Sequence, residues 1–127
     1  MKIAFKLVMV LMLGACANES SEISANNDRE IVATEQSFRE KVVGKEWRFD
    51  TGEKILFEED MTLSGVDNGQ PLTGEWYWED RFACWRYTSG QRNTFDCRVI
   101  EVTEDQLFYT RDRGRGSSIP LDLVIAG

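Results

Sequence analysis

The sequence predicts a mostly β fold: a small antiparallel up-and-down barrel, or a strongly bent sheet, of about eight strands with one N-terminal helix. Three observations predict it. From Lys45 onward apolar and polar residues alternate with period two, turn residues recur every eight to twelve positions or so, and no stretch of helical periodicity interrupts the series. The helix comes first, over about 28–43: Asn27 or Asp28 caps it, Glu30 stands three residues after Asn27 as in a capping box, Ile31, Glu35, Phe38 and Val42 share one face, and Gly44 stops it. Strands are then expected over 46–50, 54–59, 61–66, 72–78, 82–87, 94–103, 107–111 and 119–125. Between them lie Thr51-Gly52, Asp67-Asn68-Gly69, Glu79-Asp80-Arg81, residues 88–93, Glu104-Asp105 and residues 114–118; Asn68-Gly69 is a strong type I′ hairpin signal. About 80 residues of strand give a thin core, which a disulfide and a covering helix would reinforce.

With 127 residues the chain has room for one domain. Fifteen Lys and Arg against 22 Asp and Glu give a formal charge of −7, so no nucleic-acid partner is expected, since phosphate contacts need surplus cations. The absence of histidine removes Ser-His and Cys-His nucleophiles, an imidazole base and His-ligated zinc or haem. A carboxylate pair, a Ser-Lys pair, a tyrosine or no catalysis remains.

Lys2 and Lys6, the apolar run 7–13 and Gly14-Ala15-Cys16 have the layout of a secretory signal peptide over 1–15. The run is too short to span a hydrocarbon core, which needs about 20 apolar residues. Leu13-Gly14-Ala15-Cys16 resembles the bacterial lipobox. That resemblance implies cleavage before Cys16, diacylglycerol on its thiol, and membrane attachment through two or three acyl chains, enough to hold the protein durably. Ala17, rather than Asp, implies sorting to an outer membrane, facing the periplasm, in a host with two membranes. The alternative is ordinary secretion with Cys16 as an odd thiol. Loss of Lys2 and Lys6 with the leader takes the charge from −7 to −9. Residues 16–27 are polar and aperiodic, a lipidated tether, and 28–127 form the helix-plus-barrel domain.

With Cys16 given to lipid, Cys84 and Cys97 remain, and export permits their oxidation. If 88–93 is a hairpin loop, Tyr87 opposes Thr94 and, three residues back on each side, Cys84 opposes Cys97, within disulfide reach. No CxxC motif accompanies them, so the bridge reads as a structural staple. A three-residue Glu79-Asp80-Arg81 loop would put Trp76, Trp78, Phe82, Cys84, Phe95, Cys97 and Val99 on one face, the expected core. The other face would carry Tyr77, Trp85, Tyr87, Ile100, Val102, Leu107 and Tyr109, covered by the helix or serving as a binding patch. A two-residue loop would instead move Trp76 and Trp78 onto that second face.

A helix, Gly44-Lys45-Glu46-Trp47 and an antiparallel meander together resemble a lipocalin-type calycin, whose first strand opens with Gly-x-Trp. Here the spacing is Gly-x-x-Trp and the meander is about half the usual length. The region from Gly74-Glu75-Trp76-Tyr77-Trp78 through Cys84, Asp96-Cys97 and the segment 108–116 is similar to small exported alphaproteobacterial proteins, over about the last 85 residues. Some of those carry a dihydrodipicolinate reductase name, but Gly114-Arg115-Gly116 lacks the third glycine and the strand–helix setting of a dinucleotide site, and no cofactor is expected.

Arg111, Arg113 and Arg115 alternate with Asp112, Gly114 and Gly116; if extended, the three guanidinium groups share one side and suit a phosphate or carboxylate, and otherwise they form a solvated loop. Residues 46–80 hold ten acids against Arg48 and Lys54, whereas 81–115 hold seven arginines against five acids. Glu58-Glu59-Asp60 has no EF-hand spacing and reads as a solvated turn, so no metal site is expected. Ser117-Ser118 has no lysine placed as a base. The expected function is therefore a lipid-anchored cell-envelope binding or interaction module without catalytic residues, its partner an envelope protein or a small apolar ligand, with Tyr77, Trp85, Tyr87, Arg111, Arg113 and Arg115 as candidate binding residues. The alternatives are an inhibitor of a hydrolase acting through the loops at 89–92 or 113–115, and a small enzyme using carboxylates of 46–80.

Overall fold

A computed structural model of the protein describes residues 28–89 and 93–125. The leader 1–15, Cys16, the tether up to residue 27 and the loop tip 90–92 lie outside the described residues. Strands β2 (Glu46–Phe49), β3 (Lys54–Phe57), β4 (Thr62–Asp67), β5 (Gln70–Glu79), β6 (Phe82–Tyr87), β7 (Asp96–Val102), β8 (Gln106–Thr110) and β9 (Ser118–Leu123) pair antiparallel in sequence order. β9 pairs back onto β2, with Trp47 opposite Leu123 and Phe49 opposite Leu121, and this closes an eight-stranded barrel. Gly65 and Gly74 face inward on neighbouring strands, where an added Cβ would collide with the carbonyl oxygens of Lys54 and Arg86. Their lack of a side chain lets the sheet curl tightly.

The N-terminal segment departs from the expected helix. Glu30–Val32 is a ninth strand, β1, and the helix α1 is confined to Glu35–Lys41. β6 pairs with β7 over Asp96 to Arg98, and β1 takes the edge of β7 beyond that point, with Val32 opposite Ile100 and Glu30 opposite Val102. β-branched Ile31 and Val32 suit that extended edge better than a first helical turn. The cap is Thr34, whose Oγ1 accepts from the Ser37 amide at 3.1 Å, while Phe38 and Val42 remain the buried helical positions and Gly44, at φ +85°, ends the turn.

The facing of the sheet is also corrected. Glu79 pairs with Phe82, so Asp80-Arg81 is a two-residue turn, with Asp80 in the left-handed region at φ +61° and its carbonyl accepting from Trp78 Nε1 at 2.8 Å. Trp76 therefore opposes Trp85 and Trp78 opposes Ala83. The barrel interior is built from Trp76, Ala83, Trp85, Ile100, Val102, Leu107 and Tyr109 with Trp47, Ile55, Phe57, Leu63 and Leu121. Phe82, Cys84, Phe95, Cys97 and Val99, expected in the core, lie on the outward side with Tyr77. Cys84 and Cys97 oppose each other there and are bonded, as the hairpin register implies.

The two ends of the barrel differ. At one end, where β3 stops at Phe57 and β6 begins at Phe82, α1 lies across the opening. Phe38 enters a cage of Phe57, Trp76 and Trp78, with ring centroids 5.4, 5.1 and 5.6 Å away. Arg39 ties the helix to the β3–β4 turn through Glu59 at 3.0 Å and also holds Glu35 at 3.0 Å. The other end is bordered by the turns at 50–53, 68–69 and 111–117 and by residues 88–89 and 93–95, and it has no such plug among the described residues.

Candidate functional site

Alternation along β7 places Asp96, Arg98, Ile100 and Val102 inward, so a cation and an anion enter a face that is otherwise apolar. Arg98 is the buried charged residue of the core, with 9% of its surface exposed. Its guanidinium stacks over the Trp85 ring at 3.8 Å and approaches the Tyr109 ring at 5.3 Å. Nη1 donates to the carbonyl oxygens of Asp96 at 2.9 Å and Trp85 at 3.2 Å. Nε faces Asp96 Oδ2 at 3.3 Å, within ion-pair distance but too oblique for a hydrogen bond, so both atoms are buried without one. Burial lowers the pKa of Arg98, against the opposing pull of Asp96, and a guanidinium still stays charged in such a setting.

Around it lies a cavity of about 470 Å³, within the size range of small-ligand sites. Tyr87, Tyr109 and Ile119 form its inner wall, Thr94 and Phe95 its lip, and Arg86, Arg98, Asp96 and Arg111 supply its charges. Burial, and then the Glu53 carboxylate, push the Tyr87 phenol far above its ordinary value; burial also raises Tyr109, against Arg98 and Arg111. Both hydroxyls therefore remain protonated donors through the physiological range. Glu53 is itself raised, first by burial and then by Asp67. A larger depression of about 760 Å³ runs past Asp28, Glu30, Lys41, Lys45 and the β7–β8 turn, but its charged side chains are solvated and it contains no buried polar group of the kind Arg98 supplies.

The sequence-predicted binding residues divide among three places. Trp85 is fully buried in the barrel and serves the site as the plate under Arg98; Tyr87 lines the cavity; Tyr77 is on the opposite side of the sheet, edge-to-face with Phe95 at 5.0 Å. The three do not share a surface, which corrects the expected patch. The arginine series is not extended either. Asp112 and Arg113 adopt left-handed backbone angles, φ 53° and 54°, and Gly114 follows at +91°, so the segment folds back on itself. Arg111 reaches Asp96 at 3.8 Å, Arg113 pairs with Glu79 at 2.9 Å and lies over Phe82, and Arg115 pairs with Asp112 at 3.2 Å. Three carboxylates thus separate the three guanidinium groups, and only Arg111 lines the cavity. The acidic run is dispersed as well: Glu59 holds Arg39, and Asp60 and Glu58 accept from the Thr62 hydroxyl.

Arg98, Asp96 and Arg86 are the charged cavity residues that the expected list lacks. The signal for the first two was present, since residues sharing parity with Ile100 and Val102 on one strand share their face. No chemistry-bearing cluster of the metal-binding kind occurs among the described residues. Comparison with known proteins finds no family model that matches the chain, and no curated protein or solved structure that matches it.

Proposed function

We propose that the protein is a non-catalytic binding module of the cell envelope, anchored through lipid on Cys16 and presenting the mouth of its barrel to a ligand. The anchor rests on the lipobox resemblance of residues 13–16, with outer-membrane, periplasm-facing attachment following from Ala17. The observation that carries the binding role is the buried Arg98–Asp96 ion pair beside a cavity, in a barrel whose remaining interior is filled by Trp47, Trp76, Trp85, Phe38 and Phe57. Burying an ion pair costs desolvation that its mutual attraction repays only in part, and structural needs alone are met more simply by apolar residues. The filled interior argues against carriage of a bulky apolar molecule and moves the expected ligand to the mouth.

The test is purification of the full-length protein from envelope membranes in mild detergent, followed by intact and native mass spectrometry, beside Cys16→Ser and Arg98→Gln variants. The expected results are a diacylated mature chain starting at Cys16, release of Cys16→Ser from the membrane, and a small molecule or partner segment retained by the parent protein and lost from Arg98→Gln. An unprocessed leader would overturn the anchoring. Co-purification of one stoichiometric hydrolase that Arg98→Gln still holds would overturn mouth binding in favour of an inhibitor acting elsewhere.

A further inference from the structure

We infer that the outer flank of the barrel over β4, β5 and β6 is a docking surface for a protein segment that carries an apolar side chain beside a cationic one. This surface lies outside the mouth and does not depend on the binding reading above. Three observations lead to it.

The first is where apolar side chains are left in water. Met61, 39% exposed, and Phe95, 38% exposed, line one groove of about 490 Å³ together with half-buried Tyr77. Phe95 is fixed edge-to-face against Tyr77 at 5.0 Å and under the Arg86 guanidinium at 4.6 Å, and Arg86 in turn holds Glu75 at 2.9 Å. Met, Tyr, Phe and Arg grouped on a surface have the composition of the centre of a protein interface, and rings already held in place lose little freedom on contact. The exposed Thr62 and Thr88 supply the polar rim.

The second is strain. Met61 has φ 71°, in the left-handed region that glycine and asparagine tolerate and a long side chain does not. The turn keeps it there: its amide donates to the Glu58 carbonyl at 3.0 Å, and its carbonyl accepts from the Trp76 amide at 2.9 Å. A glycine or asparagine would make the same turn at lower cost. An apolar side chain held in a costly conformation and turned to solvent serves contact better than it serves the fold.

The third is charge. Among the described residues the groove is lined by two carboxylates, Asp60 and Glu75, and by no cation. Arg86 neutralises Glu75. Asp60 accepts only from Thr62, whose hydroxyl and amide donate at 2.6 and 3.1 Å and hold its carboxyl below the ordinary value, so it stays charged at neutral pH. The apolar floor therefore ends at a negative charge, which attracts a Lys or Arg of the partner and repels an acidic segment. A second copy docking the same flank face to face would bring Asp60 against Asp60, and a phosphate-bearing lipid surface would meet like charge.

The probes are acetyl-Lys-Phe-Lys-amide, acetyl-Lys-Gly-Lys-amide and acetyl-Glu-Phe-Glu-amide, titrated against the full chain in mild detergent. Binding is read from the methyl resonance of Met61, the one methionine beyond residue 12, and from the amides of Tyr77 and Phe95. The expected result is saturable shifts at all three positions with the Lys-Phe-Lys peptide, about tenfold weaker with either of the others, and reduced by added salt. Phe95→Ala should abolish the shifts and retain the parent circular dichroism. Asp60→Asn, which keeps an acceptor for Thr62 and removes the charge, should weaken the Lys-Phe-Lys peptide several-fold. Met61→Asn should weaken it several-fold and raise the unfolding midpoint, a gain that a methionine serving the fold would not give. The Lys-Gly-Lys peptide binding as tightly would overturn the apolar anchor, and the Glu-Phe-Glu peptide doing so would overturn the cationic partner. Shifts confined to Tyr87, Arg98 and Tyr109 would place the peptide in the mouth and overturn the flank. Without peptide, shifts at Met61 that grow with protein concentration would assign the flank to a second copy, and shifts on adding phosphatidylglycerol vesicles would assign it to a lipid surface; either overturns the proposal, as does the absence of shifts with every peptide.

Discussion

The two ends of this barrel are made by the same eight strands and the same inward parity, yet one is sealed and the other holds an open, charged cavity. At the sealed end the inward positions are Phe57, Trp76 and Trp78, and the chain supplies Phe38 to fill the space between them. At the open end the same strands present Tyr87, Asp96, Arg98, Tyr109 and Ile119, and the chain supplies no side chain to cover them among the described residues. The difference lies in side-chain chemistry and not in backbone. Closing an antiparallel sheet removes its edges but leaves two openings, and the identity of the last inward residue on each strand decides whether an opening becomes core or site.

The largest effect expected from breaking this contrast is at the sealed end. Phe38 has no exposed surface, and Phe38→Ala should lower unfolding stability by about 3–5 kcal/mol, since it removes the plug and leaves a cavity among three aromatic rings. The shift would be read from the midpoint of urea unfolding at constant slope. Amide exchange around Tyr87 and Arg98 in the remaining folded molecules should be unchanged. Equal loss at both ends would show that the ends are not independent.

How much of this was legible beforehand follows from which interactions are local. Strand positions and the register of Cys84 with Cys97 depend on period-two alternation and short hairpins, which neighbouring residues determine; Asn68 and Gly69 take the positive φ angles, 54° and 76°, that their turn demands. The 79–81 turn needed one residue to decide between two registers, and Asp80's tolerance of a left-handed backbone decided it. That single step determines whether Trp76 and Trp78 face inward. The first helical turn was lost to β1 because the free edge of β7 is supplied from about seventy residues away, and no local pattern announces it. Arg113 was placed by Glu79 and Arg98 by Trp85, both distant in sequence. The charges of the site became visible only when parity was carried through Asp96 and Arg98, residues whose polarity argued against an inward place.

A smaller effect is expected from the Cys84–Cys97 bond, which staples β6 to β7, the two strands that carry Tyr87 and Arg98. A loop of this length should stabilise the fold by about 3 kcal/mol in the chain-entropy model. Reduction, or the Cys84→Ala/Cys97→Ala pair, should lower the unfolding midpoint accordingly. Amide exchange should quicken most around Tyr87 and Asp96 to Arg98 and least in α1, sharpening the distinction between the two ends. Uniform quickening would mean that the barrel opens as one unit.

The smallest effect belongs to Glu53, and its value lies in its sign. Its carboxyl is raised above the ordinary value by burial and by Asp67, so the folded protein holds that proton more tightly than the unfolded chain does. Protonated in both states, below the unfolded value near pH 4, Glu53 imposes no penalty. As pH rises through the higher folded value the penalty of the buried charge appears and stability falls. Glu53→Gln should therefore be more stable than the parent at neutral pH, by no more than about 1 kcal/mol because the group is half exposed and screened. The advantage should shrink on acidification and vanish near pH 4, in thermal melts run across pH 4 to 8. A stability gain present at neutral pH and absent near pH 4 would identify Glu53 as a carboxylate held against its charge by burial and by Asp67.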